Sequence, residues 1–127
     1  MPRRSSTQSP LSIALKRVYE RPSDADGLRV LVERLWPRGV SKAAAGIDHW
    51  AKDVAPTPAL RTWYGHRPER WQAFRQRYAI ELAGNHAAVD ALRALCARQH
   101  VTFVFAAKDV ERNGAVVLRD YLLSKPE

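Results

Sequence analysis

One cysteine, one methionine and six glycines stand in a chain of 127 residues, and each shortage closes off a class of explanation. The lone Cys96 can form no internal disulfide and has no second thiolate for a zinc cluster, so the reducing cytoplasm is the expected compartment. Leu92 and Leu95 beside it mark it as a buried filler rather than a nucleophile. The histidines His49, His66, His86 and His100 include no short-spaced pair, and neither GxGxxG nor GxxxxGK[ST] occurs, so no metal and no cofactor is expected. No apolar run approaches the roughly 18 residues of a membrane span. The first ten residues, MPRRSSTQSP, lack the apolar core of a secretory signal. Residues 1–11 read as a disordered tail, followed by one domain over 12–127. Acid is also scarce: 13 Asp and Glu face 21 Lys and Arg, a formal charge of +8, of which Arg3 and Arg4 carry only two. Such a surface attracts anionic partners.

What is present reads as strands separated by helices. Ser12 to Val18 alternates as a first strand, and Arg29 to Leu35 as a second that stops where Pro37 cannot donate to a ladder. Short helical pieces follow from Ser41 to Gly65: Asp48 is placed to cap a turn presenting Trp50 and Val54, Thr57-Pro58 to start a helix and Gly65 to stop it. Trp71, Phe74, Tyr78 and Leu82 then recur at helical spacing from Pro68 onward, a core stripe. Arg77 and Glu81 are expected to pair on its outer face. Asn85 is a candidate cap for a helix carrying Val89, Leu92 and Leu95. Val101 to Ala107 reads as a central strand covered on both faces, and Asn113 as the cap of a last helix from Gly114 to Ser124. This order predicts a single α/β domain with a small, mainly parallel sheet, because parallel neighbours need crossover connections.

Parallel strands share a carboxyl edge, and ligands of open sheets bind there. Two loops should leave it, Trp36-Pro37-Arg38-Gly39 and Lys108 to Asn113. If their strands are neighbours, Arg34, Trp36, Arg38, Gly39, Arg112 and Asn113 become candidate ligand-binding residues, with Lys108, Asp109 and Glu33 the candidates for catalysis. The arginines offer planar forks for phosphate or carboxylate, Lys108 a mobile charge, and Asp109 or Glu33 a base or an orienting group. A small anionic ligand is the partner this implies. The competing reading is a structural salt-bridge set closing the sheet, with Trp36 a core cap. His66 is read as a helix-end histidine placed where a lid would fold over the crevice, and Trp63-Tyr64 as exposed lid or dimer surface. No thiolate follows the last strand, which excludes sulfurtransfer and cysteine phosphatase chemistry. The second function class is a non-catalytic nucleic-acid or partner-binding module using Lys16, Arg17, Arg29, Arg38, Arg67, Arg70, Arg75 and Arg77. It is less favoured, because no helix-turn-helix pair, aromatic RNP-like strand or zinc finger is visible.

The runs KRVYERP (16–22), DGLRVLVERLWPRG (26–39), DHWAKDVAPTPALRTWYGH (48–66), ERWQAFRQRYAIEL (69–82) and FAAKDVERNGAVVLRDYL (105–122) closely resemble the YeaO-like branch of the family catalogued as domain of unknown function 488. The resemblance implies a compact α/β bacterial cytoplasmic protein with characteristic positions at Arg34, Trp36, Pro37, Arg38, Gly39, Lys108, Asp109 and Asn113. It implies no established reaction. Where members often carry a histidine after the asparagine of the last block, Gly114 stands here, so no histidine role transfers to that loop.

Overall fold

In the computed structural model, which describes residues 11–124, a four-stranded sheet forms in the order β1-β4-β2-β3 with every pair parallel. The strands are β1 (Ile13–Arg17), β2 (Leu28–Leu31), β3 (His49–Trp50) and β4 (Val101–Phe105). The helices are α1 (Lys42–Ala45), α2 (Pro58–Tyr64), α3 (Trp71–Ala83), α4 (His86–Arg98) and α5 (Gly114–Ser124), with single 3-10 turns at Asp24–Asp26, Lys52–Val54 and Pro68–Arg70. The small parallel α/β domain is therefore as expected. The expected tail lies outside the described residues except for Leu11, which packs against the core. Among the described residues no helix is long and apolar enough to cross a membrane.

Every residue of β4 is buried, as its unbroken apolar run requires of a central strand. Register divides the sheet into two unequal faces. Leu15, Val30 and Phe103 share a level and, with Val101 and Phe105, face the main core built by Leu60 and Tyr64 of α2, Phe74, Tyr78 and Leu82 of α3, Val89, Leu92 and Cys96 of α4, and Leu118 and Leu122 of α5. On the other face Val104 clusters with Val18 and Ala45, with Trp36, Val40, Ile47 and Ala106 around them. That thinner layer is completed by a polar group. Asp26 accepts from the Lys16 ammonium at 3.1 Å and the Arg29 guanidinium at 2.7 Å, Arg29 donates twice to the Ala45 carbonyl, and Thr102 Oγ1 donates to the Asp26 carbonyl. Arg29 and Asp26 are only 3% and 7% exposed. Burial alone would raise the Asp26 carboxyl, but the Ser23 N–H, Lys16 and Arg29 outweigh it and hold the group below its ordinary range.

Three local expectations need correction. The second strand ends at Leu31, well before Pro37: Val32 N–H still reaches Val104 O, but the Glu33 carbonyl is turned to accept from Trp50 Nε1 and the ladder stops. Trp50 is not presented by a capped turn; His49–Trp50 is a fourth strand too short to leave an alternating pattern, while Asp48 accepts from the Arg29 N–H. Asn85 stands at the N-cap position of α4 as expected but its side chain makes no capping hydrogen bond; its amide donates to the Asp53 carbonyl. By contrast, Thr57 caps α2, Gly65 ends it in the left-handed region, and Asn113 Oδ1 accepts from Val116 N–H at the start of α5, as their positions predict.

Candidate functional site

β2 and β4 are parallel neighbours, so the loops following them leave the same edge of the sheet. They are tied together there: the Glu33 carboxylate accepts from the Ala106 N–H at 3.1 Å, a contact between residues 73 apart in sequence. From the other side of β4, Arg17 at the end of β1 donates from Nε to the Ala107 carbonyl and from Nη2 to the Ala106 carbonyl. The first two residues beyond β4 are thus held by side chains from both flanking strands.

The expected site residues divide by what already occupies them. Arg34 does not form a clamp with Arg38; its guanidinium donates to the Ala55 and Pro56 carbonyls at 2.9 and 3.2 Å, which lie in a non-helical linker and have no ladder donor. It also lines a cleft of about 260 Å³ with Val54, Thr57, Tyr78, Glu81 and Asn85. Trp36 donates from Nε1 to Val40 O and packs edge-on against Trp50 at 5.5 Å, closing its own loop as a core cap. Gly39 sits at φ +76, and a Cβ added there would meet nothing within 4 Å, so backbone conformation rather than space selects glycine in this turn.

The last loop is closed on itself. The Asp109 carboxylate accepts from the backbone N–H groups of Glu111 and Arg112 and from Arg112 Nε at 3.0 Å. The Glu111 N–H is the leading influence, and with Arg112 it holds this carboxyl below its ordinary range, which suits an organiser of the loop and makes a weak base. Asn113 is buried, capping α5 and donating to the Asp109 carbonyl. Of the expected set, Arg38 and Lys108 are exposed and have no hydrogen-bond or ion-pair partner among the described residues.

A third segment completes the edge. Tyr64, at the end of α2, is buried rather than exposed as its sequence context suggested. It stacks on Phe74 at 4.3 Å and donates from its hydroxyl to the Arg112 carbonyl. The chain then turns through Gly65 and His66, both in the left-handed region at φ +53 and +58; for histidine this is an uncommon conformation. Burial pushes the Glu33 carboxyl up, opposed by the Ala106 N–H and by the Arg61 guanidinium. The Arg61 guanidinium of α2 thus acts on Glu33 through its charge. Sequence reasoning had marked His66 but missed Arg61, Arg17 and the Tyr64 contact. An arginine ending an edge strand was the available signal for Arg17, while the others depend on a long-range approach with no local trace.

Among the described residues no group of three or more His, Cys, Asp or Glu side chains gathers as metal ligands would. No solved structure matches the chain. Bacterial relatives do match, among them the uncharacterized protein Rv3073c of Mycobacterium tuberculosis (strain ATCC 25618 / H37Rv), 46% identical over 110 residues, covering 87% of this chain and 92% of the relative. The uncharacterized protein YeaO of Escherichia coli K12 is 36% identical over 114 residues, covering 90% and 99% respectively. A family profile described as the inactive DUF488-N3 subclade matches residues 12–127. On these grounds the chain belongs to the domain of unknown function 488 family, as a YeaO-like member of its inactive N3 subclade.

Proposed function

We propose that the protein binds a small phosphorylated or carboxylated molecule at the carboxyl edge of its sheet and does not turn it over. The observation that carries this reading is the contrast at that edge. Arg38 and Lys108 project from loops that leave neighbouring strands, uncommitted among the described residues, while the carboxylates beside them are committed. Arg61 adds positive charge from the α2 side. A planar guanidinium and a mobile ammonium are suited to an oxyanion.

The expected catalytic roles fit less well than binding. Asp109 is saturated with donors, and Glu33 is engaged by the Ala106 N–H as the joint between the two loops. The description of the matched subclade as inactive accords with a site that keeps the anion and has no working base.

The test is a thermal-shift and calorimetric screen of inorganic phosphate, nucleotides and dicarboxylates against the wild type, Arg38→Ala and Lys108→Ala. A true ligand at a hundredfold excess over its Kd raises stability by about 2.7 kcal/mol, and each substitution should reduce that gain. A shift unaffected by either change, or the absence of any shift across the screen, rejects the site.

A further inference from the structure

The side of the molecule formed by α2 and α3 carries charge of a different kind. Residues 61–80 hold five arginines against Glu69 alone, a net +4 in a chain of +8. Arg70, closing the 3-10 turn before α3, and Arg77 on α3 both lie over the Trp63 indole of α2, their guanidinium carbons 4.9 and 4.1 Å from a ring centroid. Arg70 also donates to the Trp63 carbonyl, which fixes it in that pose. Neither has an acidic partner among the described residues. The expected Arg77–Glu81 pair is absent, because Glu81 is drawn to the Thr57 hydroxyl and N–H. Arg67 meets only Glu69, at 3.5 Å with both side chains more than half exposed, a pair worth little.

Two arginines held over one indole are ordered before any partner arrives, and a guanidinium offers both N–H donors for a phosphate and a plane on which a base can stack. We propose that this α2–α3 seam binds single-stranded nucleic acid, its phosphates on Arg67, Arg70 and Arg77 and a base against the guanidinium–Trp63 stack. A phosphate groove with a stacking platform is the combination that single strands require. A duplex is a poorer fit. The exposed residues of α3 other than Arg75 and Arg77 are Gln72, Gln76, Ile80 and Ala83, so the helix carries few cations for a major groove. This inference is independent of the carboxyl-edge site, since it uses neither Arg38 nor Lys108.

The experiment is fluorescence anisotropy with labelled oligothymidine and oligouridine of about twelve nucleotides, at about 50 and 200 mM salt. Arg67→Glu with Arg77→Glu should weaken binding at least about tenfold and flatten the salt slope by roughly 1.4, at about 0.7 per phosphate contact. Arg21→Glu with Arg98→Glu, an equal charge change at exposed positions outside the seam, should retain most of the affinity. Arg70→Lys with Arg77→Lys keeps the charge and loses the plates, so affinity should fall several-fold with the slope unchanged. Three results overturn the proposal: no binding by the wild type, equal losses in the two glutamate pairs, or full displacement by an oligoglutamate peptide together with an unaffected lysine pair, which would identify the seam as a dock for an acidic protein.

Discussion

Replacing Asp26 with alanine tests whether the thin face of the sheet depends on its polar group. The carboxylate meets the Lys16 ammonium, the Arg29 guanidinium and the Ser23 N–H. Lys16 is partly exposed and can turn to water, whereas Arg29 is sealed in and would retain only the Ala45 carbonyl. Removing one partner of a buried ion pair costs about 3–5 kcal/mol; the surviving Ala45 bonds put this case at the lower end, near 3 kcal/mol. Against a total of roughly 5–15 kcal/mol for a domain, that is a large fraction, and it corresponds to a fall in Tm on the order of 10 °C. The measurement is urea unfolding followed by circular dichroism, at neutral pH and in acid. Because the folded carboxyl lies below its ordinary value of 3.8, its contribution is present above that value and is lost as pH falls through the folded pKa. The gap between wild type and variant should therefore be widest at pH 7 and should close in acid. A gap under about 1 kcal/mol with an unchanged urea slope, or one independent of pH, would refute the assignment.

Three further outcomes follow from the same reasoning. Glu33 has its carboxyl raised by burial, so its contribution is greatest below its ordinary value of 4.5 and is lost as pH rises through the folded pKa. Glu33→Gln, whose side-chain oxygen can still accept from Ala106 N–H, should be as stable as wild type or more so at pH 7, with the advantage gone near pH 4; the opposite trend in paired denaturation curves counts against a buried, raised carboxyl. Cys96 is buried and its thiol is pushed up to about 11, so an aromatic disulfide reagent at pH 8 should label it only as fast as the protein opens, and prompt stoichiometric labelling contradicts that burial. At Gly114 an added Cβ would meet only ordinary contacts, the nearest being Pro56 Cγ at 3.5 Å. Gly114→Ala should raise Tm modestly, by up to about 1 kcal/mol of stability, and a lower Tm would reveal an unseen constraint at the start of α5.

The elements most legible in the sequence were those whose signals are local. The unbroken run of β4, the Thr57-Pro58 start of α2 and the Asn113 cap each follow from a few adjacent residues, and each stands where expected. The aromatic stripe of α3 likewise faces inward through Phe74, Tyr78 and Leu82. What the sequence concealed was the choice of partners. Arg34, Glu81 and Asn85 looked like a ligand clamp, a surface pair and a helix cap, yet each goes to the segment 53–57, where linker N–H and carbonyl groups lacked other partners. β3 was invisible for another reason: two residues cannot display a period. At the carboxyl edge, the sequence left open whether the two loops' strands are neighbours, which the β2–β4 pairing answers, and it gave no sign that Asp109 and Arg112 are consumed within their own loop.

The position of β4 also bears on how the molecule is made. The strand that lies between β1 and β2 is the last of the four to leave the ribosome, and β1 has no other neighbour in the sheet. Until Val101–Phe105 emerges, the nascent chain has helices with no sheet to pack on, and its first two strands expose unpaired edges. Completion of the sheet and closure of the Glu33–Ala106 joint at its carboxyl edge would then coincide in a single late event. A chain ending at His100 is accordingly expected to lack a cooperative unfolding transition, and its appearance in such a fragment would show that the first hundred residues organise themselves by other contacts.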